Sequence, residues 1–564
     1  MSPVQPARLV AFFAALVLQQ HACAQSAAGN TPRPDTLEVP AAPGAARGGI
    51  DFRLPGQATP DVALPASIAV RAFRITGLTS IPAQDIDALL APWTGRTLTS
   101  TELRGAVDGL TTLLRERGLL IAQATLPAQD FGNGLIDITV QEGRLGQLRM
   151  ESAADLRLRA SVLERFGASL RPGDTLRGDN LEQGLLLLND LPGVRVEAAL
   201  TPGTQPGSAD VQAKVENDGL PLAATVTIDN AGLRATAEYR TDATLRWKSP
   251  LHLGDLLTLR LLASHTAGQK LGSITYGLPI NAAGTRLGVR YTEQEYRLYR
   301  EFTPLAAHGQ QRAASLLISH PLLRRSNRNL YLSASYNEFT FSDRQDAVAA
   351  ESTSRQRVLS LGLSGDFRDA LGGGGITTLQ TLAYAGETRL LTPTQLALDE
   401  APGGLGVAGQ YQVLRLRAER VQAIDARSNL QISWRSQFAS RNLDPGLELA
   451  VGGPNAVRAY PSGEAFADQG HLTRIDYRRS FALLENLPTI VSVFYDHARV
   501  EINRNPLPTD VANKRSFAGY GFGLAQAFGS YLTLQSYLAW RSTAQPAGEP
   551  DRRPRVWVTL AASI

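Results

Sequence analysis

Leu430-Gln431-Ile432-Ser433-Trp434-Arg435-Ser436-Gln437-Phe438 puts a nearly unbroken apolar row on one side of an extended chain and Gln, Ser and Arg on the other. Leu330-Tyr331-Leu332-Ser333-Ala334-Ser335-Tyr336-Asn337, Leu287-Gly288-Val289-Arg290-Tyr291 and Leu532-Thr533-Leu534-Gln535-Ser536-Tyr537-Leu538-Ala539-Trp540 follow the same rule. Such segments recur from about residue 222 onward, and none is an apolar run long enough for a spanning helix. Period-two alternation fits a transmembrane barrel strand, with lipid on one face and a polar lumen on the other. It fits a soluble β-sandwich equally well. The choice depends on the rest of the chain.

At the N-terminus Arg8 precedes the apolar run Leu9 to Leu18, which is followed by Gln19-Gln20-His21 and the small-residue site Ala22-Cys23-Ala24. This is the layout of a secretory signal peptide spanning residues 1–24, cleaved before Gln25. A lipoprotein reading would acylate Cys23, but Gln20-His21-Ala22 lacks the aliphatic residue such a site usually carries. Cys23 is the only cysteine, so the mature chain has none. A large exported chain without a disulfide needs another source of stability, from packing or from a closed ladder of strands. The composition, 43% hydrophobic and 19% charged with a net charge of +4, has no polybasic block and so no nucleic-acid footprint.

Residues 25–67 are rich in Pro, Ala and Gly, and Pro32, Pro34, Pro40, Pro43, Pro55, Pro60 and Pro65 exclude a long helix. Only Gly44 to Leu54 is free of proline, with room for a short helix that Gly48-Gly49 weakens. Two similar modules follow, at 68–144 and 145–219. The first starts with the strand Val70 to Ile75, continues through helices at Ala83 to Leu90 and Glu102 to Arg117, and closes with strands Ile121 to Leu126 and Leu135 to Val140. Thr99-Ser100-Thr101-Glu102 is a capping box, and Leu103, Val107, Leu110 and Leu114 share a helical face. Gly173-Asp174-Thr175-Leu176 in the second module stands where Gly95-Arg96-Thr97-Leu98 stands in the first. The helix carrying Leu181, Leu185 and Leu188 stops at Asn189-Asp190-Leu191-Pro192-Gly193. Two exported β-α-α-β-β units ahead of a barrel suggest a docking platform whose strand edges accept an extended peptide.

Leu126-Pro127-Ala128-Gln129-Asp130-Phe131 with Gly134 and Val140-Gln141-Glu142-Gly143-Arg144, and Leu188-Asn189-Asp190-Leu191-Pro192-Gly193-Val194 with Leu200-Thr201-Pro202-Gly203, resemble the two polypeptide-transport-associated (POTRA) modules of two-partner secretion transporters. These are the TpsB family, of haemolysin activation/secretion type, within the outer-membrane assembly and translocation superfamily. Asp229-Asn230-Ala231-Gly232 and Ser249-Pro250-Leu251-His252-Leu253-Gly254-Asp255 resemble the family's first barrel hairpin. The resemblance implies a mainly β fold, with a C-terminal antiparallel barrel of sixteen strands over 220–564 behind two small α+β modules. Roughly 340 residues over sixteen strands leave about 21 each with connections, compatible with ~10 per crossing.

Two further matches concern mechanism. Gly452-Gly453-Pro454-Asn455-Ala456-Val457-Arg458-Ala459-Tyr460 resembles the superfamily loop that folds back into the barrel, here spanning about 452–470, with Ala459 replacing the glycine of its Val-Arg-Gly-Tyr tetrad. Phe494-Tyr495-Asp496-His497-Ala498 resembles the strand motif Phe-x-Asp-x-Gly, with Ala498 replacing glycine. The resemblance implies that Arg458 meets Asp496 on the inner wall. The residues add a physical reason: Ser492, Phe494 and Asp496 share one face of a strand, and a carboxylate belongs in the lumen rather than in lipid. A solvated Arg458 and an ordinary lumen Asp496 are the plainer alternatives. Alanine at both glycine positions bears on backbone geometry, because alanine tolerates positive φ poorly. Ile564 ends the chain where such barrels usually end in an aromatic residue.

No His-Glu-x-x-His, Gly-x-Ser-x-Gly or Gly-x-x-x-x-Gly-Lys pattern occurs, and seven histidines form no metal-spaced pair. The sequence therefore gives no catalytic residue, metal or cofactor. Gly519-Tyr520-Gly521-Phe522-Gly523 lacks the strand-helix context of a nucleotide site and reads as glycine that lets a barrel strand bend. The family resemblance implies a non-enzymatic outer-membrane translocator with its modules in the periplasm, exporting an unfolded TpsA-type exoprotein without ATP. Its other expected partners are outer-membrane lipid and, during biogenesis, the barrel-assembly machinery, and the pore is expected to be monomeric. The alternative within the superfamily is an outer-membrane protein assembly factor.

Overall fold

The computed structural model describes residues 64–484, 487–508, 512–543, 546 and 551–564. The expected signal peptide and nearly all of the proline-rich segment lie outside the described residues.

The first module places helices Ala83–Leu90 and Ser100–Glu116 on strands formed from residues 67–141. Thr99 and Glu102 cap the longer helix reciprocally: the Glu102 carboxylate accepts from the Thr99 backbone at 2.8 Å and the Thr99 hydroxyl accepts from the Glu102 backbone at 3.2 Å. Leu103, Val107, Leu110 and Leu114 are buried beneath that helix, each worth about 1.5–3 kcal/mol of apolar burial. The single strand expected from Val70 to Ile75 is broken at Arg71. Ser67–Val70 pairs with Arg96–Thr99, and Ala72–Thr76 pairs in parallel with Leu135–Gln141. The break occurs because both Arg71 and Ala72 donate their backbone N–H to the Gly134 carbonyl, at 2.7 and 3.3 Å.

The second module has helices Ala160–Gly167 and Gly178–Asn189 against strands Arg144–Ser152, Val194–Pro202 and Ser208–Asn217. The internal repeat extends to backbone conformation, since Gly95 and Gly173 sit at φ +77° and +91°. The modules interlock: Ile121 of the first is buried in the core of the second, and Gly178 donates to the Gly118 carbonyl at 2.8 Å.

Sixteen antiparallel strands close into a barrel from Leu222–Asp229 to Arg555–Ser563. Leu359, Leu361 and Leu363 point outward and are exposed, whereas Ser360 between them and Gln356 just before them are almost fully covered. An apolar row outside and a polar row inside is the reverse of a soluble sandwich and identifies the outer face as the lipid face. The wall is uneven. The sixth, seventh and eighth strands (Ala307–Arg324, Arg328–Gln345, Ala350–Asp369) have 18, 18 and 20 residues, but the first and last (Leu222–Asp229, Arg555–Ser563) have 8 and 9. The first and last strands meet over five paired residues, Thr225–Asp229 against Thr559–Ser563. Ile564 extends this seam by exchanging backbone hydrogen bonds with Ala224 at 2.9 and 3.1 Å, a contact that does not depend on its side chain.

The second module is fastened to the near rim of the barrel. Asp190, in the segment read as a helix stop, accepts two hydrogen bonds from Arg324 at 2.7 and 2.8 Å, and its carbonyl accepts from Arg286 at 2.5 Å. Glu182 accepts from the Ser326 backbone at 2.9 Å. Leu253 and Ala282 of the barrel turns pack on the module's core.

Candidate functional site: a loop locked across the lumen

The segment between the eleventh strand (Ser428–Ala439) and the twelfth (Gln469–Leu484) turns into the barrel. A short hairpin, Leu449–Val451 with Ala465–Ala467, stiffens it. The in-folded part begins before residue 452, the start expected from sequence. Leu443 and Leu447 already pack against Phe339, Phe341, Tyr384 and Tyr411 on one wall. Val457 and Tyr460 pack against Phe494, Ala498 and Phe517 on the other. The loop therefore spans the lumen.

Its apex brings all seven motif residues together. Val457, Arg458, Ala459, Tyr460, Phe494, Asp496 and Ala498 are each at most 3% exposed. Arg458 donates to Asp496 from its backbone N–H at 2.9 Å, from Nε at 2.8 Å and from Nη2 at 2.6 Å. It also grips Asp476 of the twelfth strand in a fork, Nη1 at 2.7 Å and Nη2 at 3.0 Å. Planarity and five donors make arginine suited to bridging two carboxylates. Arg474 stands 3.5 Å from Asp496, so the four charges sum to zero. Phe494 supplies a platform, its ring centroid 3.5 Å from the Arg458 guanidinium carbon, and Tyr537 flanks the same group at 4.9 Å. The Arg458 carbonyl accepts a 2.7 Å hydrogen bond from the Trp557 indole of the last strand. Tyr460 stands edge-on to Phe517 at 5.1 Å and bonds Thr543 at 2.8 Å through its hydroxyl.

The alanine substitutions prove compatible with this backbone: neither Ala459 nor Ala498 has positive φ. Space for the Ala459 methyl comes from Gly519 on the fourteenth strand (Lys514–Phe528), where an added Cβ would lie 2.3 Å from it. At Gly521 an added Cβ would meet the Leu538 carbonyl at 2.0 Å and Phe494 at 2.7 Å. The glycine run expected to bend a strand instead clears the wall beneath the loop and its aromatic platform.

Sequence reasoning missed Asp476, Trp557 and Gly519. Asp476 carried a signal, because it lies between the lipid-facing Ile475 and Tyr477 and its parity therefore points inward. Among the described residues no group of three or more His, Cys, Asp or Glu side chains is arranged to hold a metal.

The family of haemolysin secretion/activation proteins ShlB/FhaC/HecB matches residues 207–525, and the ShlB-type POTRA domain matches residues 68–143. The heme/hemopexin transporter protein HuxB of Haemophilus influenzae strain 86-028NP is 26% identical over 460 residues, covering 81% of this chain and 80% of that protein. The outer membrane transporter CdiB of Escherichia coli O6:K15:H31 is 26% identical over 440 residues, covering 74% and 70%. The solved structure of CdiB from Escherichia coli superposes with a TM-score of 0.73 at 20% identity over the full length of both chains, a likeness of fold.

Proposed function

Because the chain belongs to the haemolysin secretion/activation family ShlB/FhaC/HecB, and is thereby an outer-membrane transporter of two-partner secretion with periplasmic POTRA modules, we propose that it exports one unfolded exoprotein through a pore gated by the Arg458 loop. The modules recognise the exoprotein in the periplasm, and the barrel conducts it once the loop withdraws. The observation that carries this reading is Arg458 held by two wall carboxylates at the apex of a loop that crosses the lumen. A pore for small solutes has no use for such a bar, whereas a conduit wide enough for a polypeptide must be closed at rest. Withdrawal exchanges five buried, charge-assisted hydrogen bonds for water in the lumen, and part of that loss is offset because rehydrating buried charges is favourable.

The transporter itself is not an enzyme in this reading, and no nucleotide is consumed. Folding of the exoprotein outside the cell removes the unfolded form from the equilibrium and so draws the chain outward. Attachment of the second module through Asp190 and Arg324 holds the docking platform over the pore mouth.

The test is co-expression with candidate exoproteins in a heterologous host, assaying which one reaches the medium. Deletion of residues 68–144 or 145–219 is expected to abolish secretion with the barrel still inserted. Normal secretion from either deletion would overturn the docking role, and secretion of every unfolded protein offered would overturn the single-partner reading.

A further inference from the structure

The tall side of the barrel carries a second chemical surface, on its outer face. In the eighth strand the eleven residues from Leu359 to Asp369 begin at the module end, and they match the ~10 needed to cross a bilayer. Phe367, Leu363, Leu361 and Leu359 are outward side chains of that stretch, in order away from the modules, and all four are exposed. The next two outward residues, farther from the modules, are Arg357 and Arg355. They stand immediately beyond the hydrocarbon on the cell-surface side.

The pairing register concentrates charge there. Arg355 lies directly opposite Arg389 of the ninth strand (Gly375–Leu390), and Arg357 lies opposite Glu387 on that side and Glu338 on the other. Like charges directly opposite in a ladder repel. The carboxylates present compensate only in part. Arg355 and Arg357 share Glu338 at 3.6 and 3.7 Å, beyond hydrogen-bond length, and Glu387 is engaged by Arg389 at 2.9 Å. Three guanidinium groups against two carboxylates leave one positive charge, with the three arginine side chains 43–58% exposed. The neighbouring Arg312 and Glu293 pair with each other at 3.1 Å and add no net charge.

We propose that Arg355, Arg357 and Arg389 form a binding site for the phosphorylated headgroup of an outer-leaflet glycolipid, whose acyl chains run down Leu359, Leu361 and Leu363. Guanidinium forks match phosphate oxygens, and a phosphate set between Arg355 and Arg389 converts their repulsion into a shared contact. The leucines directly below select a phosphate that carries acyl chains over one free in solution. The site lies on the lipid side of the wall, apart from the lumen loop.

The test uses full-length protein purified in mild detergent and native mass spectrometry with added bisphosphorylated lipid A, phosphatidylglycerol or inorganic phosphate. Lipid A is expected to bind the parent protein, and the Arg355→Gln, Arg357→Gln, Arg389→Gln triple variant to lose affinity by about tenfold or more. Inorganic phosphate in excess is expected not to displace the lipid. Equal lipid A binding by parent and triple variant would overturn the proposal. So would displacement by inorganic phosphate, which marks a simple anion site, or equal binding of phosphatidylglycerol, which marks an unspecific lipid belt. Should the triple variant fail to insert, Arg357→Gln alone carries the same test, with a loss of about threefold expected and unchanged binding refuting the assignment.

Discussion

Replacing Gly519 by alanine puts a methyl group where Ala459 already is. The new Cβ would stand 2.3 Å from the Ala459 Cβ and 3.0 Å from the Trp540 carbonyl oxygen, whereas carbon atoms in contact prefer about 3.5–4.0 Å. One side must retreat by more than about 1 Å to restore that spacing. The wall strand is fixed by its ladder, with Gly519 opposite Asp496 and Arg541. The loop is therefore the side that moves, and it moves against the Arg458 hydrogen bonds to Asp496 and the Trp557 bond to the Arg458 carbonyl. Overpacking of this kind costs about 1–3 kcal/mol, and here the cost falls on the locked state. Ala459→Gly removes the opposing methyl and costs about 0.5–1 kcal/mol by itself through backbone freedom. The double variant should recover most of the loss, with a coupling of about 1–2 kcal/mol. Planar-bilayer recordings and urea unfolding in lipid provide the assay. Gly519→Ala should open more often and unfold earlier, Ala459→Gly should stay near the parent, and the pair should return toward the parent. Strict additivity of the two changes would refute the idea that the glycine exists to seat the loop.

Arg458→Ala should leave Asp476 and Asp496 buried with only Arg474, 3.5 Å from Asp496, to offset two carboxylates, at a cost of about 3–5 kcal/mol, seen as raised conductance and uptake of bulky antibiotics; Arg458→Lys, which keeps the charge but not the fork, should fall between it and the parent. Asp190→Ala removes the module carboxylate that Arg324 grips and should broaden spin-label distances between the second module and the barrel while those inside each stay sharp. In the first module burial pushes the Glu142 carboxyl up, but hydrogen bonds from Thr79 and Ser80 outweigh it and hold its pKa below the usual carboxylate range. A depressed folded-state value gives stability that is complete above the unfolded value of 4.5 and is lost as pH falls through the folded value. Protection factors of the 76–80 and 139–143 segments, corrected for the pH dependence of intrinsic exchange, should therefore fall in that acidic window in the parent, and should show no such step in Glu142→Gln.

The barrel was legible because lipid and lumen impose opposite demands on alternate residues, so that Ile432 and Gln431 declare their faces without any knowledge of neighbours. The Arg458 and Asp496 pair was legible through family resemblance together with strand parity. Their companions were hidden because they depend on register. Asp476 reaches Arg458 only because it pairs opposite Phe494, and Arg474 opposite Asp496. Parity alone does not fix which residue faces which. Trp557 lies 99 positions from Arg458, and only closure of the barrel brings it there. The break at Arg71 arises from a distant carbonyl, that of Gly134, which no local pattern marks. Asp190 was read as part of a helix stop because the local backbone explains it fully; its bonds to Arg324 come from a different domain.

The contacts of Arg458 also couple seating of the loop to completion of the barrel. The wall residues that hold Arg458 and Tyr460, namely Asp476, Asp496, Phe517, Tyr537 and Trp557, lie downstream of the loop apex in the chain. The final grip waits for Trp557, seven residues from the end of the chain, in the same strand that zips to Thr225–Asp229. Full seating of the loop thus depends on closure of the barrel. A chain cut short before the last strand would lack both the seam to Thr225–Asp229 and the Trp557 bond to the loop apex, so barrel closure and seating of the loop would fail together.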